Sequence, residues 1–302
     1  MVEAPPLSVV MAVRNVQRYV ALAIESVLSQ TFKDFEFLVI DDGSTDNTSS
    51  ILADYARRDS RIRIIQGPSG GLSAALNLGI AQARAPLIAR MDGDDICLPT
   101  RFEKQIAFLQ SHPEHVLVGS RCVLIDPDGR PIHEKPNTPL GHEQIDAMLL
   151  KMEWPIVHPA VMMRADAFAK AGAYLEKYKT VEDHDVFLKL AEIGKLANLD
   201  EVLMYYRQHF KSTVYTTVNQ QRRNLTEITT DACARRGIPV PPEVVERPVE
   251  LVSEAQHRRN WVWRALAAGN KATARHHAWA VVRAAPLSAE SWRAMICAIR
   301  GR

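Results

Sequence analysis

The chain has 302 residues, a length that corresponds to roughly two domains of ordinary size. Apolar residues make up 47% and charged residues 24%, which is the composition of a globular protein rather than of a disordered chain. The formal charge of only +2 argues against a nucleic-acid-binding protein that relies on bulk charge. Mean hydropathy is −0.14, and no stretch reaches the roughly 18 uninterrupted apolar residues that a membrane-spanning helix needs.

Neither the first residues nor the cysteines point to secretion. The segment Met1–Asn15 lacks a basic stretch followed by an apolar stretch and a cleavage site, so we expect no secretory signal and a cytoplasmic location. The four cysteines lie far apart and none belongs to a C-x-x-C pair, which argues against a cysteine zinc site. A chain of this length can bury a large core without disulfides, so we expect four reduced thiols.

The first half of the chain alternates short apolar runs with segments of helical periodicity. The apolar runs predict strands over Leu7–Val13, Phe35–Ile40, Arg61–Ile65 and Pro86–Met91. The periodic segments predict helices over Tyr19–Gln30, Thr48–Arg58, Ser73–Ala83 and Pro99–Gln110. Such an order predicts an α/β fold whose mostly parallel sheet is covered by helices on both faces. Ligands of such sheets bind beyond the carboxyl ends of the strands, where two acidic clusters of this chain fall.

The second half shows fewer regular patterns. Residues 116–209 are expected to be less regular, with an exposed loop at Lys135–Gly141 and a helix at Asp183–Ile193. The proline-rich stretch 237–250 predicts a linker, because proline disrupts regular elements. The remainder predicts helices broken at Gly269 and Pro286. We therefore expect one domain over residues 1–236, a linker over 237–250 and a C-terminal helical region over 251–302.

The sharpest motif follows the fourth predicted strand, where Asp92 and Asp94 are separated by one residue. In an extended segment, alternate side chains point to the same side, so the two carboxylates can converge. Hard oxygen ligands of this kind suit Mg²⁺ or Mn²⁺ and leave coordination positions for phosphate oxygens. The alternative is a solvated acidic turn.

The other strand ends carry a second acidic cluster and a glycine pair. In Asp41–Asp46, Asp42 could accept a hydrogen bond from a nucleotide base, while Ser44 or Asp46 could cap the following helix. Gly70 and Gly71 lead into a predicted helix, which makes an anion site in principle. The chain has neither a P-loop lysine motif nor G-x-G-x-x-G after its first strand, so an ATPase and a dinucleotide-binding dehydrogenase are unsupported.

An acidic group also precedes the predicted helix at Asp183–Ile193. Its carboxylates could complement the helix dipole, or one of them could act as a general base on an acceptor hydroxyl. Spacing alone does not choose among Glu182, Asp183 and Asp185.

Taken together, these residues resemble the family-2 nucleotide-sugar glycosyltransferases, which have the Rossmann-like GT-A fold. The resemblance covers about residues 7 to 215, and the expected fold is GT-A with a C-terminal helical extension. Each segment is moderately specific alone, whereas eight in the right order are highly specific. The segments are Ser8–Asn15, Ser26–Phe32, Asp41–Asp46, Gly71–Ile80, Arg90–Asp95, His158–Ala160, Glu182–Leu190 and Tyr206–His209.

The resemblance implies a role for each matching position. Asp183 corresponds to the catalytic base of inverting members, and Asp94 and His209 would hold a divalent metal, Mn²⁺ or Mg²⁺. Arg207 and His209 would lie in a loop that closes over the diphosphate, although His209 could also be an ordinary surface histidine. His158 would shape the acceptor side or pack locally, and not transfer a proton. Residues 1–115 would bind the donor, and residues 116–236 would bind the acceptor and carry the catalytic base. The nucleotide-sugar would contact Ala12, Arg14, Asp42, Asn77, Asp92, Gly93 and Arg207.

The expected activity is transfer of one sugar from a nucleotide-sugar, with a UDP-sugar as the expected donor, to a hydroxyl of a glycan or lipid-linked acceptor. The setting would be the synthesis of cell-surface polysaccharide or lipopolysaccharide. The Q-x-x-R-W motif of processive members is absent, and many members have a tyrosine where this chain has Arg14. The alternatives are a non-catalytic nucleotide-sugar-binding or scaffold protein of the same fold, and a nucleotidyltransferase.

The C-terminal helical region combines four tryptophans with many arginines. One hypothesis is peripheral contact of residues 251–302 with anionic lipid at the inner face of the cell membrane, near a lipid-linked acceptor. The alternatives are tryptophans that pack inward beneath a solvated arginine face, and pairing with another enzyme of a glycan pathway. The tryptophans are Trp261, Trp263, Trp279 and Trp292.

Overall fold

The computed structural model describes residues 4–209, 218–244 and 253–301. The strands are β1 (Leu7–Val13), β2 (Phe35–Asp41), β3 (Ile62–Gln66), β4 (Leu87–Asp92), β5 (Ile96–Cys97), β6 (His115–Ile125), β7 (Pro131–Glu134), β8 (Met162–Arg164) and β9 (Lys195–Arg207). The helices are α1 (Val20–Leu28), α2 (Thr48–Arg58), α3 (Leu72–Ala81), α4 (Arg101–Ser111), α5 (His142–Leu150), α6 (Ala165–Ala171), α7 (Glu182–Ile193), α8 (Val218–Arg236), α9 (Glu254–Ala267), α10 (Lys271–Ala284) and α11 (Ala289–Arg300).

The strands of the described residues form one mixed sheet in the order β3-β2-β1-β4-β8-β6-β9-β5, with β7 paired to β6. Strands β1 to β4 run parallel, and β6 and β9 form a second, long parallel pair. The short β8 lies between these halves and is antiparallel to both β4 and β6. The expected fold class is confirmed: a mostly parallel sheet flanked by helices, followed by C-terminal helices.

The apolar character of β1 follows from its position between two layers of helices. Val9 and Met11 pack in the same hydrophobic cluster as α1, whereas Val10 packs with α3 in the other cluster. Alternate side chains of a strand point to opposite faces, so a strand covered on both sides must be apolar throughout. On the α3 side, a Cβ at Gly79 would lie 2.4 Å from Ile40 Cδ1, which shows how closely the helix approaches the sheet.

The predicted elements of the first half are confirmed to within about two residues at their ends. Residues 116–209 are more regular than expected, because they contain the long strands β6 and β9. All four cysteines are unpaired thiols, as expected. Within the described ranges, no helix is long and apolar enough to cross a bilayer.

The C-terminal helices pack against the β6–β7 hairpin. Trp261 of α9 belongs to the same buried cluster as Leu124 and Ile132 of the hairpin. The Asn270 amide donates to the Ile132 carbonyl at 3.0 Å. The helices end and begin around Gly269 and Pro286, as predicted. The last six residues of the predicted linker, 245–250, and the two that follow it, 251–252, lie outside the described residues.

Candidate active site

A cavity of about 750 Å³ lies at the carboxyl ends of β1 and β4. The amino ends of α3 and α7 and the end of β9 also border it. The acidic cluster after β4, the glycine pair before α3 and the carboxylates of α7 therefore meet around one space, as the position of ligands in such sheets predicts.

Three carboxylates crowd together where β4 ends. Oxygens of Asp92, Asp94 and Asp95 lie within 4.8 Å of one another. Burial, followed by repulsion from Asp94, raises the pKa of Asp95 well above its usual value, and burial also raises the pKa of Asp92. His209 Nε2 lies 3.1 Å from Asp94 Oδ2. The buried Asp95 Oδ2 accepts no hydrogen bond from any described residue. Carboxylates and an imidazole that crowd in this way fit a divalent cation such as Mn²⁺ or Mg²⁺.

Arg90 is a charged residue of this site to which the sequence motifs assigned no role. It is buried two residues before Asp92 on β4, and its Nη1 lies 2.5 Å from Asp92 Oδ2. Its positive charge lowers the pKa of both Asp92 and Asp183, in opposition to their burial. The i, i+2 spacing with Asp92 was the available signal, since it places both side chains on one face of the strand.

Asp183 borders the cavity at the start of α7. Burial, followed by the charge of Glu182, raises the pKa of Asp183 to about 7. The Asp183 Oδ1 accepts a hydrogen bond from the His184 N–H at 2.9 Å. Asp185, one of the alternatives left open by spacing, forms an ion pair with Lys189 at 2.7 Å. The structure therefore favours Asp183 and Glu182 as the carboxylates that face the cavity.

His158 lies beside Asp183, in a short 3-10 turn. Its Nδ1 is 4.0 Å from Asp183 Oδ2, and its Nε2 is 2.8 Å from the Tyr174 hydroxyl. Burial lowers the pKa of His158 well below its usual value, so the imidazole is neutral. A buried, hydrogen-bonded imidazole of this kind is compatible with either a role in shaping the site or local packing.

The residues at which the resemblance implied a donor lie in tightly packed backbone at the ends of β1, β2 and β4. Asp42 Oδ2 accepts a hydrogen bond from the Gly71 N–H at 2.8 Å, while its buried Oδ1 has no partner among the described residues. Ala12 pairs with Asp92 across β1 and β4. A Cβ at Gly93 would lie 2.6 Å from Val13 Cγ1, so this turn has room only for glycine. Arg14 lines the cavity and is exposed.

Asn77 does not occupy the place that the resemblance implied. Its side-chain amide bonds both backbone groups of Tyr174, since Nδ2 donates to the carbonyl at 2.8 Å and Oδ1 accepts from the N–H at 3.0 Å. Asn77 therefore supports Tyr174, which in turn contacts His158.

Arg207 lies at the end of β9 and not in a loop, and it is mostly buried, but it also lines the cavity. Its Nε donates to the Asp94 carbonyl at 2.7 Å, and its N–H donates to Asp95 Oδ1 at 2.7 Å. Its Nη1 donates to the carbonyls of Asp126 and Pro127 at 3.1 and 3.3 Å. Arg207 thus holds Asp94 and Asp95 in place through hydrogen bonds to the Asp94 carbonyl and the Asp95 carboxylate.

The turn that accepts from Arg207 also contacts the C-terminal helices. His277 Nε2 of α10 lies 3.1 Å from Asp126 Oδ2, and both side chains are buried. Burial raises the pKa of Asp126, but the contact with His277 and backbone N–H groups outweigh it and lower the value to about 2. A chain of contacts therefore runs from α10 through Asp126 and Arg207 to Asp94.

Residues of the stretch 130–159 form another part of the cavity wall, and Glu176, Lys179, Thr180 and Gln221 complete it. Lys135 Nζ donates to the Trp154 carbonyl at 2.6 Å, and burial lowers the pKa of Lys135. The Trp154 ring meets His184 edge-on at 5.4 Å. The expectation that residues 116–236 bind the acceptor includes this stretch, but the sequence could not single out Lys135 and Trp154, because no local motif marks them.

Comparisons with known proteins show the family of this chain. The model of the family described as "Glycosyl transferase family 2" matches residues 8–172. The O-antigen biosynthesis glycosyltransferase WbnJ of Escherichia coli is 37% identical over 214 residues, which are 68% of this chain and 81% of that protein. The amylovoran biosynthesis glycosyltransferase AmsE of Erwinia amylovora is 33% identical over 186 residues, 61% of this chain and 68% of that protein.

Solved structures show the same fold at low sequence identity. TarS of S. aureus in complex with UDP-GlcNAc has a TM-score of 0.60 and 16% identity, over 98% of this chain and 92% of that one. The mannosyltransferase PcManGT of Pyrobaculum calidifontis, in complex with GDP-Man and Mn²⁺, has a TM-score of 0.58 and 18% identity, over 99% and 86% of the two chains.

Proposed function

Because the chain belongs to glycosyl transferase family 2, we propose that it transfers one sugar from a nucleotide-sugar, a UDP-sugar, to an acceptor hydroxyl with inversion at the anomeric carbon. The observation that carries this proposal is that one cavity borders both an acidic cluster whose carboxylates could hold a cation and a buried carboxyl whose pKa is about 7. A general base works best when its pKa lies near the working pH.

The donor would lie across the ends of β1, β2 and β4. Asp42 Oδ1, which has no partner among the described residues, would accept from an N–H of a pyrimidine base, with Ala12 and Gly93 nearby. Arg14, which lines the cavity, would also contact the nucleotide. Asp94 and His209, together with Asp92, would hold Mn²⁺ or Mg²⁺. When bound, the divalent ion supplies positive charge that balances the charge developing on the diphosphate.

The acceptor would enter from the side of Lys135 and Trp154, so that its hydroxyl reaches Asp183. Asp183 takes the hydroxyl proton, and the acceptor oxygen forms a bond to the anomeric carbon. The bond from that carbon to the diphosphate breaks, and the nucleoside diphosphate leaves with the electron pair. Attack opposite the leaving group inverts the configuration.

The biological setting that we propose is the synthesis of cell-surface polysaccharide, with a glycan or lipid-linked saccharide as the acceptor. The support is that WbnJ and AmsE are named for O-antigen and amylovoran biosynthesis. Addition of a single sugar fits the absence of the Q-x-x-R-W motif from the sequence.

The experiment incubates the purified protein with a panel of nucleotide-sugars, with Mn²⁺, Mg²⁺ or a chelator, and with or without extracted lipid-linked saccharides. Release of nucleoside diphosphate is measured. We expect metal-dependent release from one donor and its loss in Asp183→Asn and Asp94→Ala. Asp185→Asn is the matched control, because Asp185 lies on the same helical turn but pairs with Lys189.

The other outcomes distinguish the alternative functions. Calorimetric binding of a donor without release, even with the acceptor extract, would indicate a non-catalytic nucleotide-sugar-binding protein. Release of pyrophosphate from a nucleoside triphosphate would indicate a nucleotidyltransferase. Full activity in Asp183→Asn would refute the role of this residue.

A further inference from the structure

Exposed apolar side chains are concentrated on the C-terminal helices. Of the thirteen large apolar side chains that are exposed in the described part of the chain, six lie within residues 253–301. The alternative that the tryptophans pack inward is correct for Trp261 only, because the other three tryptophans of this region are exposed. Exposed apolar groups gathered in one region indicate an interaction site. The six are Trp263, Trp279, Leu287, Trp292, Ile296 and Ile299.

The outward side of α11 is amphipathic in its own right. Trp292, Ile296 and Ile299 are spaced by four and three residues, so they form one stripe along the helix. The opposite side, which includes Ala294 and Met295, is buried against the other helices. The exposed stripe is therefore distinct from the buried face through which α11 packs on the rest of the protein.

The turn before α11 and the neighbouring side of α10 extend this stripe. Arg275 of α10 donates to the carbonyl of Ile299, and Trp279, one turn further along α10, is 60% exposed. Leu287 in the connecting turn is 99% exposed. The Trp292 indole N–H donates to the Pro286 carbonyl at 2.7 Å, which fixes that ring at the surface. We call the set Trp279, Leu287, Trp292, Ile296 and Ile299 the aromatic face.

The same region is strongly basic. Residues 253–301 contain eight Lys and Arg against two Glu, a formal charge of +6, whereas the whole chain carries +2. The two carboxylates, Glu254 and Glu290, pair with Arg258 and Arg259. Within the described ranges, six exposed cations of the region have no carboxylate partner, so their charge is not neutralised by the protein. They are Arg264, Lys271, Arg275, Arg283, Arg293 and Arg300.

We propose that the aromatic face docks on an anionic lipid bilayer. Tryptophan and isoleucine enter the boundary between headgroups and acyl chains, while arginine side chains reach lipid phosphates. On α11, Arg293 and Arg300 are seven residues apart, so they lie one above the other along one side of the apolar stripe, where both can reach the headgroups. A second copy of the chain would bring a face of the same positive charge against this one, which opposes self-association.

Docking at this face would bring the enzyme to the bilayer surface, where the lipid-linked acceptor of the proposed function is located. The inference rests on the proposed function only for that purpose. The contact chain from α10 through Asp126 and Arg207 connects the docked helices to the acidic cluster, so the active site is held in a defined relation to the membrane.

The test is co-sedimentation of the full chain with vesicles of phosphatidylcholine alone or with about one third phosphatidylglycerol. We expect binding to the anionic vesicles, little to the neutral ones, and weakening by salt. Each arginine near such a surface contributes about a fivefold gain in binding, so Arg293→Gln with Arg300→Gln should weaken it about 25-fold. Trp292→Ser with Ile296→Ser should also reduce binding although the charge is unchanged.

A matched control carries Leu22→Ser and Arg58→Gln, which remove an exposed apolar group and an exposed cation from α1 and α2, and it should bind like the parent. Equal binding to both kinds of vesicle, or binding to neither, would overturn the proposal. So would a dimer in light scattering that Trp292→Ser with Ile296→Ser dissociates. The vesicle measurement contains no donor, so loss of transferase activity and loss of docking are separate results.

Discussion

The proton affinity of Asp183 gives a direct test of the proposed chemistry. Its pKa of about 7 has burial as its largest cause and the charge of Glu182 as the next. Glu182→Gln removes that charge and nearly preserves the shape of the side chain. The pKa of Asp183 should then fall, and the acid limb of the kcat/KM profile should move to lower pH.

The size of the effect follows from the titration. With a pKa of about 7, roughly one eleventh of Asp183 is ionised at pH 6, and kcat/KM falls about tenfold for each further unit. If the Glu182 charge contributes about one unit, or ~1.4 kcal/mol, half of Asp183 is ionised at pH 6 in Glu182→Gln. The variant should therefore gain about fivefold relative to the parent at pH 6. At pH 8 Asp183 is mostly ionised in the parent and in the variant. The variant should then be slower, because an Asp183 of lower pKa is a weaker base.

The assay is nucleoside diphosphate release between pH 5.5 and 8.5 at saturating metal. Glu192→Gln is the matched control, because it removes a carboxylate from the other end of α7, where Glu192 pairs with Arg235 and Arg236. An acid limb that stays in place in Glu182→Gln would refute the electrostatic argument. An acid limb that persists in Asp183→Asn would refute the assignment of the base.

Three further predictions concern the acidic cluster and its supports. Asp94→Ala should weaken donor binding and abolish its sensitivity to a chelator in calorimetry; unchanged metal dependence would contradict the ligand role. Gly93→Ala places a Cβ 2.6 Å from Val13 Cγ1, so it should cost about 1–3 kcal/mol of stability and lower diphosphate release, and an equally stable, fully active variant would count against this packing. The pKa of Asp126, about 2, is below its unfolded value near 4, so its carboxylate stabilises the fold above pH 4 and loses that effect as pH falls towards 2. Asp126→Asn should therefore lower the free energy of unfolding by about 2–3 kcal/mol at pH 7 in denaturant titrations, and a loss of the same size at pH 2 would argue against this origin.

The parallel half of the sheet was predictable from the sequence because each of its inner strands is apolar at almost every residue. Strands β6 and β9 were not, although they are the longest. In β9, the exposed Asp200 and Glu201 interrupt the apolar residues, close to where the register with β6 shifts. A strand that bends out of register loses the simple alternation from which it could be predicted.

In the site, residues that belong to short motifs were predictable from the sequence, whereas contacts between residues distant in the chain were not. Asp92, Asp94 and Asp183 lie in short motifs after or before regular elements, so their convergence followed from the topology of the sheet. The partners of Asn77 and Arg207 did not, because they lie 97 and 113 residues away in the chain. Neither side chain belongs to a motif that states what its hydrogen-bonding groups will contact.

The turn at residues 126–130 limits how the C-terminal helices can be exchanged between related enzymes. Through Asp126 it contacts His277 of the C-terminal helices, and through its carbonyls it holds Arg207, which supports the backbone of Asp94. The C-terminal helices therefore help to hold the backbone of the acidic cluster, and they cannot be exchanged independently of the turn. A hybrid of two relatives should keep its activity when the turn and the helices come from the same parent, and should lose it when they come from different ones.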